Sequence, residues 1–244
     1  MTELDHEKKS DLRRTKAILV LAASIAFVSA PFWSSGFGGF DPEDFPVPTD
    51  SPMLQPAGYV FGIWGIIYVW LVLSAGCGLF MRAEDPDWDR VRWWLTASLA
   101  LGTPWISVAN ASPVWATVLI VGMLIPALFA QFSAPRKDRW LLRAPVALYS
   151  GWLTVATAVS VGVLLTGYGA PLLAWAALLV VLAGAGCVLW ILQGASLYGF
   201  SIAWGLGGIV AKNLAADNHL VASGTFLLTL FFIWASIRSE RGTG

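Results

Sequence analysis

The chain has 244 residues, of which 57% are hydrophobic and only 12% charged, and its mean hydropathy is +0.69. Soluble domains run to roughly 45–50% apolar and 25% charged residues, so this composition excludes a water-soluble globular domain. The formal net charge is zero, which leaves no basic footprint for nucleic acid, and the length suits one compact helical bundle rather than two domains.

Residues 1–16 (MTELDHEKKSDLRRTK) are of mixed charge and read as a solvated cytoplasmic tail, with His6 a tail residue rather than a ligand. A first apolar span runs from about Ala17 to Phe37, with no small-residue cleavage site at a polar boundary, so a retained anchor is expected. Residues 36–51 (GFGGFDPEDFPVPTDS) are too long for a minimal helix connection. Asp41, Glu43, Asp44 and Asp50 make this loop acidic, and it reads either as a lid or as a solvated external loop.

The second span, Gln55 to Phe80, holds no charged residue and is long enough for a bilayer, which takes about 20 apolar residues. Pro56 opens it, where a missing N–H costs nothing. Phe61, Trp64 and Tyr68 recur at spacings of three and four and are expected on one helical face. Gly58 and Gly62 form a small-xxx-small pair of the kind that lets helices approach closely.

After a polar connection, Ala83 to Arg92, a third span is expected over Trp93–Asn110, kinked at Pro104. The fourth covers about Val114–Phe132, with a second kink expected at Pro126, and the strongly basic SAPRKDRWLLR follows. A fifth span over Ala144–Leu165 carries Tyr149 and Trp152. The sixth, Pro171–Leu192, is nearly all Leu, Ala and Val and is expected to face lipid. A break at Gln193 and Gly194 precedes a seventh span, Ala195–Asn213, whose Gly205, Gly207 and Gly208 read as a close-packing face. The eighth covers His219–Ile237. The expected fold is therefore an all-α polytopic membrane bundle of about eight transmembrane helices.

Lys and Arg in short loops set orientation. They cluster before span one, between two and three, between four and five, and after eight, all on one side of an eight-span chain, so both termini are expected in the cytoplasm. Trp33, Trp88, Trp93, Trp94, Trp115, Trp140 and Trp234 fall near expected interfaces, where indole is favoured. Cys77 and Cys187 lie inside apolar spans and read as small buried hydrophobes.

No ionisable residue stands in the middle of a span, which argues against a pump, a proton-coupled transporter or a charged channel filter. Lys212 has no core carboxylate to serve as the counter-ion of a Schiff base and reads as a snorkelling interfacial lysine. No nucleophile–base pair, metal cluster or phosphate loop is present. What remains is an intramembrane aromatic set: Phe61, Trp64, Tyr68, Trp105, Tyr149 and Trp152, with Trp204 later.

Three motifs place that set in a family. Pro56 with Phe61-Gly62-Ile63-Trp64-Gly65 and Tyr68 resembles the second-helix signature of the TspO/MBR family, the tryptophan-rich sensory proteins related to the mitochondrial translocator protein. Leu101-Gly102-Thr103-Pro104-Trp105 resembles that family's third-helix L-N-x-x-W. Residues 148–157 (LYSGWLTVAT) resemble its fifth-helix P-Y-x-x-W-x-x-x-A-T. Gly102 replaces the family's Asn, and Leu148 its Pro. Residues 17–166 thus resemble the five-helix unit, and 167–244 form an additional three-helix extension.

The resemblance implies that spans two, three and five enclose an aromatic pocket beneath the acidic loop. Phe61, Trp64, Tyr68, Trp105, Tyr149 and Trp152 would line it for a flat apolar ligand, a porphyrin or other tetrapyrrole, or a lipid, bound without a covalent cofactor. Such a protein would be a sensor or regulator in a bacterial inner membrane. Two other readings stay open: an accessory subunit of a larger membrane complex or homo-oligomer, packed through spans six to eight, and an enzyme that photo-oxidises a bound porphyrin.

Overall fold

The computed structural model describes residues 3–48, 52–192 and 194–241. Asp50 of the acidic loop and Gln193 of the expected break lie outside the described residues. Helix α1 spans Glu3–Trp33, α2 Ile63–Phe80, α3 Pro86–Gly102, α4 Trp105–Ala109 and α5 Pro113–Ser133. Helix α6 follows at Ala144–Gly167, α7 at Pro171–Ile191, α8 at Ser196–Ala215 and α9 at His219–Arg241. Among the described residues there is no strand, and the chain is a polytopic helical bundle. Among the described residues, six stretches are long and apolar enough to cross a membrane, those carrying α1, α2, α5, α6, α7 and α9. Spans three and seven of the sequence reading correspond to the α3–α4 pair and to α8, which are less apolar.

Local chemistry explains where the helices begin. Asp85 accepts from the Asp87 N–H and Pro86 occupies the first turn, so α3 starts within the stretch read as a polar connection. Ser112 caps α5 in the same way, ahead of Pro113. The kink expected in span three is a full break: α3 ends at Gly102, and Pro104 precedes the short α4. Pro126 by contrast sits inside a continuous α5. At the other end of the chain, α1 begins at Glu3, so the charged tail prolongs the first helix instead of leading up to it.

Helix α6 is the axis of the bundle. It packs against α2, α5, α7 and α8, and nearly three-quarters of its most apolar window is buried. Gly151 makes this possible, because a Cβ there would strike the Tyr198 carbonyl of α8. Around it, α7 and α9 keep most of their surface outward, as the Leu/Ala/Val composition of the sixth span suggested. Of the three clustered glycines of α8, Gly205 meets Val155 and Gly208 meets Pro56 and Val60, whereas Gly207 touches nothing. Gly58 and Gly62 likewise meet nothing within 4 Å, so they bring no helix close. Cys77 is half-buried, but Cys187 is exposed on the outer face of α7.

All four basic segments gather at one end of the bundle, tied by polar contacts. Ser10 Oγ donates to Glu84 Oε1 at 2.8 Å, and Lys16 Nζ meets Asp89 Oδ2 at 2.9 Å. Asp138 receives the Trp88 indole N–H at 2.7 Å and Arg82 Nε at 3.1 Å, and Arg139 pairs with Glu240 at 2.7 Å. The start of α1 and the end of α9 therefore lie at the same end. Trp88 is buried by this role, unlike the half-exposed Trp33, Trp93, Trp94, Trp115, Trp140 and Trp234. Two buried arginines close helix ends nearby. Arg92 donates to the carbonyls of Gly78, Arg82, Ala83 and Arg13, and Arg143 to those of Ala134, Leu192 and Gly194. Such donors take up carbonyls that a helix leaves unpaired in its last turn.

Candidate functional site

After Pro56, residues Gly58–Gly62 wind as a tight three-residue-per-turn helix before α2 begins. Phe61 therefore does not share an α-helical face with Trp64 and Tyr68, yet the fold still brings the three together. Trp64 stacks on Tyr68 with centroids 5.3 Å apart and an interplanar angle of 22°. Trp152 of α6 stands edge-on to both Trp64, at 6.0 Å, and Phe61, at 6.2 Å. Trp105 joins from α4 through Phe37, with centroids 5.0 Å apart.

Two adjoining cavities lie among these rings. The larger, about 270 Å³, is bordered by Phe61, Trp64, Tyr68 and Trp105 together with Phe27 and Gly102. The smaller, about 50 Å³, is bordered by Phe61, Trp105 and Trp152 with Phe40, Gln55 and Ser160. Phe37, Phe61, Trp105 and Ile120 border both. Five of the six expected pocket residues thus border one or both of the two adjoining cavities. The sixth, Tyr149, lines neither cavity. It is fully buried behind Phe27, and its hydroxyl is 2.8 Å from Ser98 Oγ, which itself donates to the Met123 carbonyl at 2.7 Å. With the serine proton so used, the tyrosine O–H is the donor to Ser98.

The polar inventory of the site is small. Trp105 Nε1 donates to the Ala116 carbonyl at 3.1 Å, and Ser160 Oγ is 2.8 Å from Thr117 Oγ1. Trp152 is different: its indole nitrogen is buried and has no hydrogen-bond partner. A buried donor left unpaired costs about 1–3 kcal/mol, and native structures keep few of them. Among the described residues, no group of three or more His, Cys, Asp or Glu could hold a metal ion.

The 34–48 loop roofs the cavities. Asn110 Nδ2 donates to the carbonyl and hydroxyl of Ser35 and pins its start, and the Val47 N–H donates to the Gly167 carbonyl and pins its end. Phe37, Phe40 and Phe45 form an inward aromatic chain with centroids 5.2 and 6.2 Å apart. Asp41, Glu43 and Asp44 point their exposed side toward solvent, with Asp41 capping the turn they form. The loop is thus both roof and acidic outer surface. Gly39 is required beneath it: its φ is +124°, and a Cβ there would run into the Gln55 amide.

The C-terminal helices complete the wall. Gly205 of α8 borders the smaller cavity, the Gly208 carbonyl accepts the Ala57 N–H, and Trp204 Nε1 donates to the Val60 carbonyl at 2.9 Å. Asn213 reaches back to the Met53 carbonyl at 2.8 Å. Trp204 itself lies outside the cavities, against Tyr59. Sequence reasoning passed over Phe27, Phe37, Phe40 and Gln55. The one available signal was Gly102, where the related motif has Asn: a Cβ there would fall 2.6 Å from the Phe27 ring, so the glycine leaves room for Phe27.

A family model described as TSPO-like protein matches residues 17–237. The match runs through the C-terminal helices as well as the first five spans. No curated protein and no solved structure matches the chain.

Proposed function

The chain belongs to the TSPO-like protein family, and on that premise we propose that it binds a flat, largely apolar ligand in the aromatic cavity and acts as a sensor or regulator. A porphyrin or other tetrapyrrole is the ligand class that best suits stacked and edge-on indoles with few polar partners. The observation that carries the reading is the Trp152 indole N–H, buried and unpaired in a side chain that borders the cavity. An acceptor on a bound ligand would satisfy it. The lid is part of the mechanism: both cavities are smaller than the roughly 300–1,000 Å³ of typical ligand sites, so a macrocycle enters by displacing the 34–48 loop. The Gln55 side chain and the Trp152 N–H then orient it, and the rings of Phe61, Trp64, Tyr68 and Trp105 supply the contact area.

The excess of Lys and Arg at the end that holds the start of α1 and the end of α9 supports reading that end as the cytoplasmic face of a bacterial inner membrane. A C-terminal fluorescent fusion that matures only in the cytoplasm checks this. The ligand reading is tested by titrating the detergent-purified protein with protoporphyrin IX in the dark, following tryptophan quenching. The expected result is saturable micromolar binding that a Trp64→Phe/Trp152→Phe double variant weakens. Quenching that never saturates, or that the substitutions leave unchanged, overturns the reading and favours an accessory role in a larger complex.

A further inference from the structure

A second and larger groove lies far from the aromatic cavity, between α7 and α9 at the basic end of the bundle. It encloses about 570 Å³ and is bordered by Gly186, Leu189, Trp190, Phe231, Trp234 and Arg238, with Arg241 at its mouth. Its charge is one-sided. Arg238 lies over both Trp190 and Trp234, with its guanidinium carbon 5.4 and 5.3 Å from the ring centroids. Neither Arg238 nor Arg241 has a carboxylate within 4.0 Å among the described residues, and Glu240 between them pairs with Arg139 at 2.7 Å. The groove also has a hydrocarbon floor: Gly186 leaves a notch in α7, against the Phe231 ring. Trp190 and Trp234 are largely exposed, as indoles are at the level of lipid headgroups.

We propose that this groove is a binding site for an anionic phospholipid. The headgroup phosphate pairs with Arg238 and Arg241, and one acyl chain runs over Leu189 and Phe231 into the notch at Gly186. Three features meet here that a membrane-facing surface does not otherwise need. Two arginines lack carboxylates, two indoles flank one guanidinium, and a concavity runs from the charges into the apolar zone. Basic pockets between helices near a membrane surface recognise anionic headgroups, at about 1 kcal/mol per cation, and planar guanidinium is suited to phosphate. The site is independent of the aromatic cavity and stands whether or not that cavity binds a porphyrin.

Native mass spectrometry of the full chain, titrated with phosphatidylglycerol or phosphatidylcholine, tests the assignment. The wild type should retain phosphatidylglycerol preferentially. An Arg238→Gln/Arg241→Gln variant should lose about thirtyfold of that preference, while Arg90→Gln, a change at an exposed side chain on α3, leaves it unchanged. Gly186→Leu provides the second arm. A Cβ at that position meets Phe231 only at 3.8 Å, so the fold accepts a larger residue that fills the notch. Retention should fall although both charges remain. Equal retention of the two lipids, or full retention by both variants, overturns the proposal. So does complete displacement of the lipid by millimolar inorganic phosphate, which would make the groove a site for soluble anions.

Discussion

Trp152→Phe should leave the ligand-free protein almost as stable as it was while weakening ligand binding. The substitution removes two ring carbons and one N–H. At roughly 0.8 kcal/mol per buried carbon group, the carbons cost about 1.6 kcal/mol. The N–H is buried without an acceptor, and its removal returns about 1–3 kcal/mol. The terms nearly cancel, so the unfolding midpoint should move by no more than about 6 °C, given roughly 2–4 °C per kcal/mol for a chain of this size. Trp105→Phe provides the contrast. Its N–H donates to the Ala116 carbonyl at 3.1 Å, so the lost bond adds about 0.5–1.5 kcal/mol to the carbon term and the midpoint should fall clearly. On the ligand side, losing one hydrogen bond of about 0.5–1.5 kcal/mol weakens affinity roughly threefold to tenfold. Thermal unfolding in detergent and a dark Soret-band titration with protoporphyrin IX measure the two quantities. If Trp152→Phe destabilises as much as Trp105→Phe while affinity stays put, the indole N–H is structural and the assignment of the cavity fails.

The Ser98–Tyr149 pair should respond unequally: Tyr149→Phe costs about 0.5–1.5 kcal/mol, whereas Ser98→Ala strands a fully buried hydroxyl and costs about 1–3 kcal/mol. Comparable unfolding midpoints for the two variants would contradict the donor order assigned here. Gly151→Leu should abolish the folded bundle, since even a Cβ strikes the α8 backbone, and loss of the monodisperse peak in size-exclusion chromatography would report it. Asp138 should make folding acid-sensitive. The Trp88 N–H and then the Arg82 guanidinium hold its carboxyl below the ordinary value of 3.8. A depressed acid contributes stability above that value and loses it as pH falls toward the lowered one. Asp138→Asn should flatten the midpoint-versus-pH curve in that range, and an unchanged acid limb would refute the contact.

Helices stand at all eight expected spans, and six of them are long and apolar enough to cross a membrane; they were legible because their signal is one-dimensional, enough apolar residues in a row bounded by proline, glycine and charge. The aromatic set was legible for the same reason, since Phe61, Trp64, Tyr68, Trp105 and Trp152 stand in motifs that can be read along the chain. The gathering of all four basic segments at one end was readable too, from their alternation between loops. Tertiary structure decided the rest. Tyr149 stands only three residues before Trp152, and nothing in that spacing says that its hydroxyl is used by Ser98 of another helix. Gly58 and Gly62 have the spacing of a close-packing pair, but a tight turn leaves them facing open space, while Gly151, read only as part of a motif, is the true point of helix contact. Phe27 and Phe37 reach the cavity from α1 and the lid through rings distant in sequence, Phe27 against Trp64 and Tyr149, Phe37 against Phe61 and Trp105. Which donor goes unpaired, and which glycine faces a neighbour, depends on atoms brought together from distant parts of the chain, and no local pattern encodes that distance.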